Sequence, residues 1–240
     1  MARSKYYNPT TQQWEYADRN PLPTGQDGDI IVNENGVWVA KKPSKLPVGY
    51  QQTNYIEFTG NEYVDTGVKI SDLMDVRCDI SFTDLTAMGN NGVNEDGQNA
   101  FMMNYRPGTP NRISFGYKSY DSGGYWVAYD KLGQEIDSAD TIYQVFVSMR
   151  DRAVYFGTNK YTPSYTMIQS LLGNSTYYIG AANNAGVPQL PAKEKVYMLT
   201  FYNYRSERIA DFVPCVREAD TKAGLYDVVR EQFRAIQTIE

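Results

Sequence analysis

The feature that most limits the fold of this chain is the repeated alternation of apolar and polar residues over short segments. Val76, Cys78, Ile80 and Phe82 alternate with polar side chains, which is the period of a β-strand with one buried face. The same pattern is found in segments 113–117, 141–150, 153–157, 176–180 and 195–204. Turns rich in glycine, asparagine and proline separate these segments. The sequence therefore predicts an all-β fold, an antiparallel jelly-roll sandwich.

Helix-like patterns are weak and confined to two places. Residues 166–172 are expected to form a short helical turn, and residues 225–236 a further helical segment. The sequences GNNG at 89–92 and NNAG at 183–186 are expected to be loops, because glycine and asparagine favour turns. Helix is therefore expected to contribute little to the fold.

The first 42 residues predict a separate unit made of two β-hairpins. The turn sequence NPTT at 8–11 follows a pair of tyrosines, and the Asn35-Gly36 pair stands between two apolar runs. Residues 43–49 contain two prolines and a lysine without periodicity and are interpreted as a linker. The jelly-roll domain is then predicted to span residues 50–240.

The aromatic side chains of this N-terminal unit predict a docking surface. Two hairpins are too small to bury an adequate core unaided, and aromatic residues carry much of the binding energy at protein interfaces. The predicted docking residues are Tyr6, Tyr7, Trp14, Tyr16 and Trp38. Packing into a small core of their own is the alternative.

Composition excludes several functions. The chain of 240 residues contains no histidine, so an imidazole base, a Ser-His or Cys-His dyad and a histidine-ligated zinc ion are impossible. A net charge of −5 argues against nucleic-acid binding. The two cysteines, Cys78 and Cys215, are expected to be reduced and buried. No signal peptide or membrane-spanning run is recognisable, so assembly in a cytoplasm without membrane insertion is expected.

Two motifs near the ends of the main domain carry a family resemblance. The first comprises LPVGY at 46–50 and YIEFTGNEYVDTG at 55–67; the second comprises ADFVPC at 210–215, GLYD at 224–227 and the Gln232-Phe233 pair. Together they resemble the concanavalin-A-like, laminin-G-like jelly-roll domains of phage and prophage virion proteins and of gut-bacterial surface proteins. The likeness covers residues 46–233, and Ala210 stands where the family usually has arginine.

The resemblance implies a non-enzymatic virion protein, a head or tail decoration or fibre-like component with an exposed lectin-like domain. Its expected location is the virion, assembled in the host bacterial cytoplasm. Its expected partners are capsid or tail proteins, further copies of itself, and host-surface or mucosal glycans. A carbohydrate-binding module of a bacterial surface protein is the alternative, and a glycoside-degrading enzyme on the same fold is a third interpretation.

The two motifs also support a physical hypothesis about closure of the sandwich. In a jelly roll the two ends of the domain must meet. We therefore expect the strand at 55–58 to pair near the strand that precedes Asp211. Gly60 and Gly67 are expected to bracket a hairpin-like pair formed by residues 55–58 and 63–65.

A glycine-rich turn surrounded by aromatic residues indicates a sugar-binding surface. Rings can stack on sugars while amides and carboxylates bind the hydroxyl groups. The candidate residues are Asn104, Tyr117, Tyr120, Asp121, Tyr125, Trp126 and Asn183, with Tyr129 nearby. Core packing and contact with a neighbouring subunit are the competing interpretation of the rings.

Acidic residues suggest two other kinds of site. A glycosidase pair would be drawn from Asp65, Asp75, Asp79, Asp84, Glu95 and Asp96; we interpret them instead as solvated loop and outer-face charges. The run at 89–97 is rich in oxygen ligands suited to calcium but lacks the spacing of a helix–loop–helix site. We interpret it as a hairpin loop, with calcium as the alternative, and expect no cofactor or metal.

Overall fold

The computed structural model describes residues 46–69, 75–95, 99–107, 112–118, 133–135, 138–148, 151, 153–162 and 174–240, together with four N-terminal strands. For those four strands, and for residues 112–118 and 133–135, the description covers the backbone alone. The strands are β1 (Lys5–Asn8), β2 (Gln13–Tyr16), β3 (Ile30–Glu34), β4 (Val37–Lys41), β5 (Tyr50–Gln52), β6 (Ile56–Thr59), β7 (Glu62–Lys69), β8 (Asp75–Phe82), β9 (Gly89–Glu95), β10 (Asn99–Arg106), β11 (Arg112–Lys118), β12 (Gly133–Glu135), β13 (Tyr143–Ser148), β14 (Ala153–Phe156), β15 (Asn159–Tyr161), β16 (Thr176–Ile179), β17 (Ala182–Asn184), β18 (Val187–Gln189), β19 (Lys193–Tyr202), β20 (Arg208–Arg217), β21 (Lys222–Asp227), β22 (Gln232–Ala235) and β23 (Gln237–Thr238).

The chain forms two compact units, Met1–Lys45 and Leu46–Glu240. In the first unit β1 pairs antiparallel with β2, and β3 pairs antiparallel with β4. These are the two strand pairs that the turn sequences predict. The assignment of residues 1–42 to a docking unit and of 43–49 to a linker stays a prediction.

The second unit is a sandwich of two sheets. The first sheet has the order β12-β11-β10-β9-β16-β7-β23, with β17 and β18 attached beside β9. The second sheet has the order β15-β14-β13-β8-β19-β20-β21-β22, with β5 beside β20 and β6 beside β19. Neighbouring strands are antiparallel except β17 and β9. The all-β sandwich fold class is therefore confirmed. None of the described residues forms a helix that could cross a membrane.

The core lies between the two sheets and follows from the predicted alternation. Val76, Cys78, Ile80 and Phe82 of β8 are each at most 3% exposed, whereas Arg77 between them is exposed. Aromatic rings cross the layer: Phe82 stacks on Tyr105 of β10 at 4.7 Å. Cys78 and Cys215 are free and buried, as expected. Each fully buried side chain of this size contributes about 1.5–3 kcal/mol.

The ends of the domain meet, as the closure hypothesis predicts. The strand β6 pairs with β19, which directly precedes the strand that carries Asp211. Tyr50 of the first motif packs against Tyr226 and Phe233 of the second, with ring centroids 4.8 and 5.4 Å apart. Asp227 is 1% exposed, and its Oδ1 accepts hydrogen bonds from backbone amides including that of Asp211. The best-matching segments are therefore closure elements.

The predicted hairpin-like pair across Gly60 is wrong, because β6 and β7 belong to different sheets. Gly60, at φ 99°, turns the chain from one layer to the other. Both strands face the same core, with Phe58 and Val64 fully buried. Gly67 lies inside β7 at φ 66°, where a Cβ atom would collide with the guanidinium group of Arg234.

The helical segment predicted at 225–236 is also wrong. This segment contributes to the antiparallel pair β21 and β22. Residues 224–227 are all buried, which a strand between two neighbours achieves and a one-sided amphipathic helix does not. Residues 166–172 lie outside the described part of the chain.

The loop predicted at 89–97 is wrong where the structure describes it. Gly89–Glu95 is the strand β9, paired along its whole length with β10. Asn90, Asn91, Gly92 and Val93 are buried. Their backbone groups belong to the sheet ladder, so residues 89–95 form a strand and not a loop. The calcium alternative stays a prediction.

Candidate functional site

The alternation that builds the core turns a second set of side chains outward on the second sheet. In β8, Arg77 and Asp79 point away from the core while Val76, Cys78 and Ile80 point into it. On the neighbouring strand β13, Val145 and Val147 are buried in the core and Phe146 faces outward. This outward surface of β14, β13, β8, β19 and β20 is called here the outer face.

Strand register arranges the outer face in rows. Tyr155 pairs with Phe146, Phe146 with Arg77, Arg77 with Thr200, and Thr200 with Asp211. A second row consists of Ser148, Asp75, Tyr202 and Arg208. Directly paired side chains in antiparallel strands lie about 5 Å apart, so residues distant in sequence form one continuous surface.

A pocket of about 360 Å³ opens on this face. Its lining comes from four strands and two turns: Asp75, Arg77, Gln144, Val145, Phe146, Tyr155, Gly157, Tyr202 and Ser206. A volume of this size is at the lower end of the range found for small-molecule sites.

Three aromatic residues line the pocket, Phe146, Tyr155 and Tyr202, and the first two lie against each other. The ring centroids of Phe146 and Tyr155 are 5.7 Å apart with an interplanar angle of 31°. The Tyr155 hydroxyl donates a hydrogen bond of 3.3 Å to Asp151 Oδ2. Lys160 Nζ lies 5.6 Å from the centre of the same ring. The Tyr155 ring is therefore held in place while remaining partly exposed.

Charged groups line the pocket beside the rings. Asp75 is 2% exposed, and Arg77 is exposed. Burial raises the pKa of Asp79, against the opposing effects of the Arg77 charge and a hydrogen bond with Gln144. In the next strands Thr200 donates to Asp211 Oδ1 at 3.0 Å, and Arg208 forms a 2.7 Å ion pair with Asp211.

One wall of the pocket belongs to a strained turn between β19 and β20. Ser206 adopts φ 62°, a left-handed backbone conformation that residues other than glycine rarely adopt. Asn203 holds the turn: its Oδ1 accepts hydrogen bonds from the backbone amides of Arg205 and Glu207. Such strain persists only where the surrounding structure enforces it, and it is common at ligand sites.

The structure places Asn183 away from a free surface. Asn183 is 2% exposed, its Nδ2 donates to Thr176 O at 2.8 Å, and its Oδ1 accepts from Gly186 N at 2.6 Å. The oxygen of this amide holds the β17–β18 turn and its nitrogen is bonded to β16, so contact with a sugar would require these bonds to break.

The other predicted sugar-binding residues fall wholly or partly outside the described part of the chain. Only the backbone of Asn104 in β10 and of Tyr117 in β11 is described. Tyr120, Asp121, Tyr125, Trp126 and Tyr129 lie outside the described residues. For the predicted docking residues Tyr6, Tyr7, Trp14, Tyr16 and Trp38 the backbone lies in β1, β2 and β4, and their side chains are outside the description.

The pocket was missed because its strand residues, apart from Val145, occupy positions that alternation assigns to the solvated side. Asp75 was named only among the acidic candidates. The available signal was the apolar run 145–147, where Phe146 occupies a position that alternation assigns to solvent. Tyr155 and Tyr202 repeat this signal on strands β14 and β19. Single outward aromatic side chains are common, but three that line one pocket form a contiguous patch, which indicates a contact surface.

The acidic candidates do not form a catalytic pair on β8. Asp75 and Asp79 are four residues apart on one strand, about 13 Å by the strand rise, which exceeds the roughly 5–9.5 Å between glycosidase carboxyl groups. Asp84 pairs with Lys193 at 2.8 Å, and Asp65 accepts a hydrogen bond from Gly67 N. Asp75 is buried, so the interpretation of this residue as a solvated charge is wrong. Among the described residues no group of three acidic or cysteine side chains is placed to hold a metal ion.

The pocket combines ring faces with hydrogen-bonding groups of both kinds. Asp75 accepts hydrogen bonds, Arg77 donates them, and Gln144, Tyr202 and Ser206 can do both. This combination suits a ligand that has an apolar face and several hydroxyl groups around its edge.

Solved structures that match the fold of this chain include the following two. One is "Ruminococcus gnavus IT-sialidase CBM40", at 10% identity and TM-score 0.40, over 62% of this chain and 89% of that chain. The other is "Trypanosoma rangeli sialidase in complex with sialic acid", at 14% identity and TM-score 0.40, over 75% of this chain and 31% of that chain. This chain thus spans less than a third of the second structure's length. A TM-score of 0.40 carries no argument about what this chain binds.

No family model and no curated protein matches the chain. The resemblance of the two end motifs to virion jelly-roll domains therefore stays a prediction.

Proposed function

We propose that this chain is a non-enzymatic carbohydrate-binding protein whose outer-face pocket holds the sugar. The observation that carries the proposal is the pairing of Phe146 and Tyr155 at 5.7 Å beside Asp75 and Arg77 in one pocket of about 360 Å³. Ring faces bind the apolar face of a pyranose, and the charged groups bind its hydroxyls.

The size of the pocket supports a short ligand. A volume of about 360 Å³ fits one or two sugar rings. The pocket lies on rigid strands rather than on a long loop, because β8, β13, β14 and β19 are consecutive neighbours in the second sheet. Residues on paired strands hold their spacing when the ligand binds, which lowers the entropic cost of binding.

The proposal is tested by binding the full chain to a glycan array and measuring the affinity of hits by calorimetry. Tyr155→Ala and Phe146→Ala are expected to lower affinity at least about tenfold, because each removes a stacking ring. Tyr55→Ala is the matched control, since Tyr55 is 38% exposed and does not line the pocket. Circular dichroism and thermal melting check that each variant is folded.

Two results would reject this function. One is the absence of binding to every glycan on the array. The other is a glycan that binds with the same affinity to Tyr155→Ala and Phe146→Ala as to the wild-type protein and more weakly to Tyr55→Ala. Release of reducing sugar from a bound glycan would instead support a glycoside-degrading enzyme.

We further propose that the chain belongs to a phage virion, with the sugar-binding sandwich displayed for decoration of the particle or attachment to a host surface. This part rests on the end motifs at 46–67 and 210–233, which resemble virion jelly-roll domains. The N-terminal unit would dock on a capsid or tail protein, and several copies on one particle would raise the avidity of weak sugar contacts. A module of a bacterial surface protein would use the same pocket.

A further inference from the structure

We propose that Tyr204, on the turn between β19 and β20, stacks on a sugar unit that extends beyond the pocket. This role for Tyr204 rests on the proposed function and deepens it, because it makes the ligand an oligosaccharide rather than a single sugar. It is supported by the way in which the turn holds one exposed ring at the margin of the pocket.

The turn at 203–207 is held by hydrogen bonds from one side chain and from its own backbone. Asn203 Oδ1 accepts from the backbone amides of Arg205 and Glu207 at 2.8 and 3.0 Å. Asn203 Nδ2 donates to the Glu207 carboxylate at 2.8 Å. The amide of Asn203 donates to Glu207 O, and the amide of Ser206 donates to Asn203 O. These bonds order the turn before a ligand arrives, which lowers the entropic cost of binding to it.

The turn carries Tyr204, which is 64% exposed. The guanidinium carbon of Arg205 lies over the Tyr204 ring, 5.2 Å from its centre, within the range of a cation–π contact. Arg205 therefore covers one face of the ring, and the opposite face is the one that stacks on a sugar. The same guanidinium group donates hydrogen bonds. Tyr204 and Arg205 thus offer a second sugar unit a ring face and polar donors, as the pocket does for the first.

The turn forms one end of the pocket. Tyr202, directly before the turn, and Ser206, within it, both belong to the pocket lining. At its other end the lining reaches Gly157, in the turn that follows β14. Tyr204 stands two residues from each of the two lining residues. Single exposed aromatic side chains are common on protein surfaces, but this one is fixed at the mouth of a pocket that already contains three aromatic residues.

The aromatic residues of the pocket are too far apart for one sugar ring. Phe146 pairs with Arg77 of β8. Tyr202 pairs with Asp75, two residues earlier on the same strand. Two strand spacings and two residues of strand rise place the Cα atoms of Phe146 and Tyr202 about 12 Å apart. A sugar chain that stacks on Phe146 and continues along the lining to Tyr202 leaves the pocket beside Tyr204.

The experiment measures how affinity depends on the length of the sugar chain. The full chain is titrated by NMR, which also measures weak binding, with cello-, manno-, xylo- and malto-oligosaccharides of one to five units. The tightest-binding glycan of the array is titrated beside its own monosaccharides. The longer ligands are expected to bind at least about tenfold more tightly than their single sugars, because ring contacts are added. Tyr204→Ala is expected to remove most of this gain and to leave the affinity for single sugars unchanged.

Two further variants separate stacking from other effects. Tyr204→Phe keeps the ring and is expected to keep the gain with chain length, since stacking does not need the hydroxyl group. Tyr55→Ala is the matched control, because Tyr55 is also exposed, carries the Lys195 ammonium group 5.2 Å from its ring centre and does not line the pocket. It is expected to leave the gain unchanged. Thermal melting checks that each variant is folded.

The outcomes separate this role from the proposed function. Equal affinity of the wild-type protein for single sugars and for every longer ligand would overturn the role of Tyr204 and leave the sugar-binding function standing. A gain that Tyr204→Ala retains, or that Tyr55→Ala loses to the same extent, would do the same. Loss of the gain in Tyr204→Phe would overturn stacking as its cause. No binding by any of these sugars, together with a silent glycan array, would overturn the proposed function itself.

Discussion

Glu194 shows how one residue couples the two layers of the sandwich to pH. It lies in β19 with none of its surface exposed, and its Oε2 accepts a 2.9 Å hydrogen bond from Asn91 of β9 in the opposite sheet. Asn91 in turn accepts from Gly180 N at 2.6 Å. Burial raises the pKa of Glu194 to about 8, although the bonds from Asn91 and Gly180 act to lower it. The carboxyl is therefore protonated in the folded protein at neutral pH.

The free energy of unfolding should fall as the pH rises from about 4.5 to about 8. Below about pH 4.5 the carboxyl is protonated in the folded and unfolded states, so its burial does not lower stability through ionisation. Above this pH the unfolded chain releases the proton, whereas the folded chain retains it until about pH 8. The loss is expected to reach about 5 kcal/mol by pH 8. Glu194→Gln should remove most of this slope, as measured by urea denaturation between pH 4.5 and 8.

Asp84→Asn serves as the control for this prediction. Hydrogen bonds from Lys193 and Thr86 hold the pKa of Asp84 well below its usual range, so the stability that it contributes is present above about pH 4 and is lost only at more acidic pH. The Asp84→Asn protein should keep the slope between pH 4.5 and 8. A Glu194→Gln protein with an undiminished slope would contradict the assignment to Glu194.

At the scale of elements, β9 is a strand although its amino-acid sequence disfavours strand formation. Glycine and asparagine are depleted in strands, and residues 89–95 consist mostly of these two types. Tertiary contacts override that preference. Gly92, at φ 123°, packs so closely on β10 that a Cβ atom would collide with the carbonyl oxygen of Phe101. Small residues therefore let β9 fit between β10, β16 and β17.

Gly92→Ala is expected to destabilise the protein by about 3 kcal/mol, because it adds a collision with backbone to the strain of a positive φ. Gly186→Ala is the comparison: Gly186 has φ 93° but nothing within 4 Å of an added Cβ, so strain alone should cost about 1 kcal/mol. Urea denaturation of both variants measures the difference. If the two variants lose the same free energy of unfolding, the collision of the added Cβ with β10 adds nothing to the strain of the positive φ.

At the scale of the whole molecule, the chain consists of a sandwich and a short N-terminal unit. The sandwich closes on itself through contacts between its ends, where Tyr50, Tyr226 and Phe233 pack together. The N-terminal unit contributes two paired sets of strands, β1 with β2 and β3 with β4. On the proposed virion function, the first part is displayed and the second part attaches.

Attachment is tested by counting copies of the chain on purified particles. Trp14→Ala and Trp38→Ala are each expected to lower the copy number at least about tenfold, because aromatic residues dominate the energy of protein interfaces. Tyr204→Ala is the control, since Tyr204 is 64% exposed and belongs to the sandwich. Full copy number in both tryptophan variants, or absence of the wild-type chain from particles, would reject the docking role.

Several features of the fold are readable from local sequence because burial alternates along a single strand. The alternation at 76–82 predicted the buried side of β8, and Asn35-Gly36 predicted the β3–β4 pair. The end motifs predicted that β6 would pair beside the strand carrying Asp211. Each of these inferences needs only a period, a turn preference or the requirement that a closed sandwich join its ends.

The sequence by itself determined the all-β class, the inward residues of the strands and the meeting of the two ends. The tertiary structure alone decided that β7 crosses to the other sheet, that residues 89–95 form a strand, and that Arg77, Phe146, Tyr155 and Tyr202 share one pocket. The reason is that alternation records which face of a strand is buried, but not which strand lies beside it. Neighbours distant in sequence are chosen by packing between the sheets and by strand register.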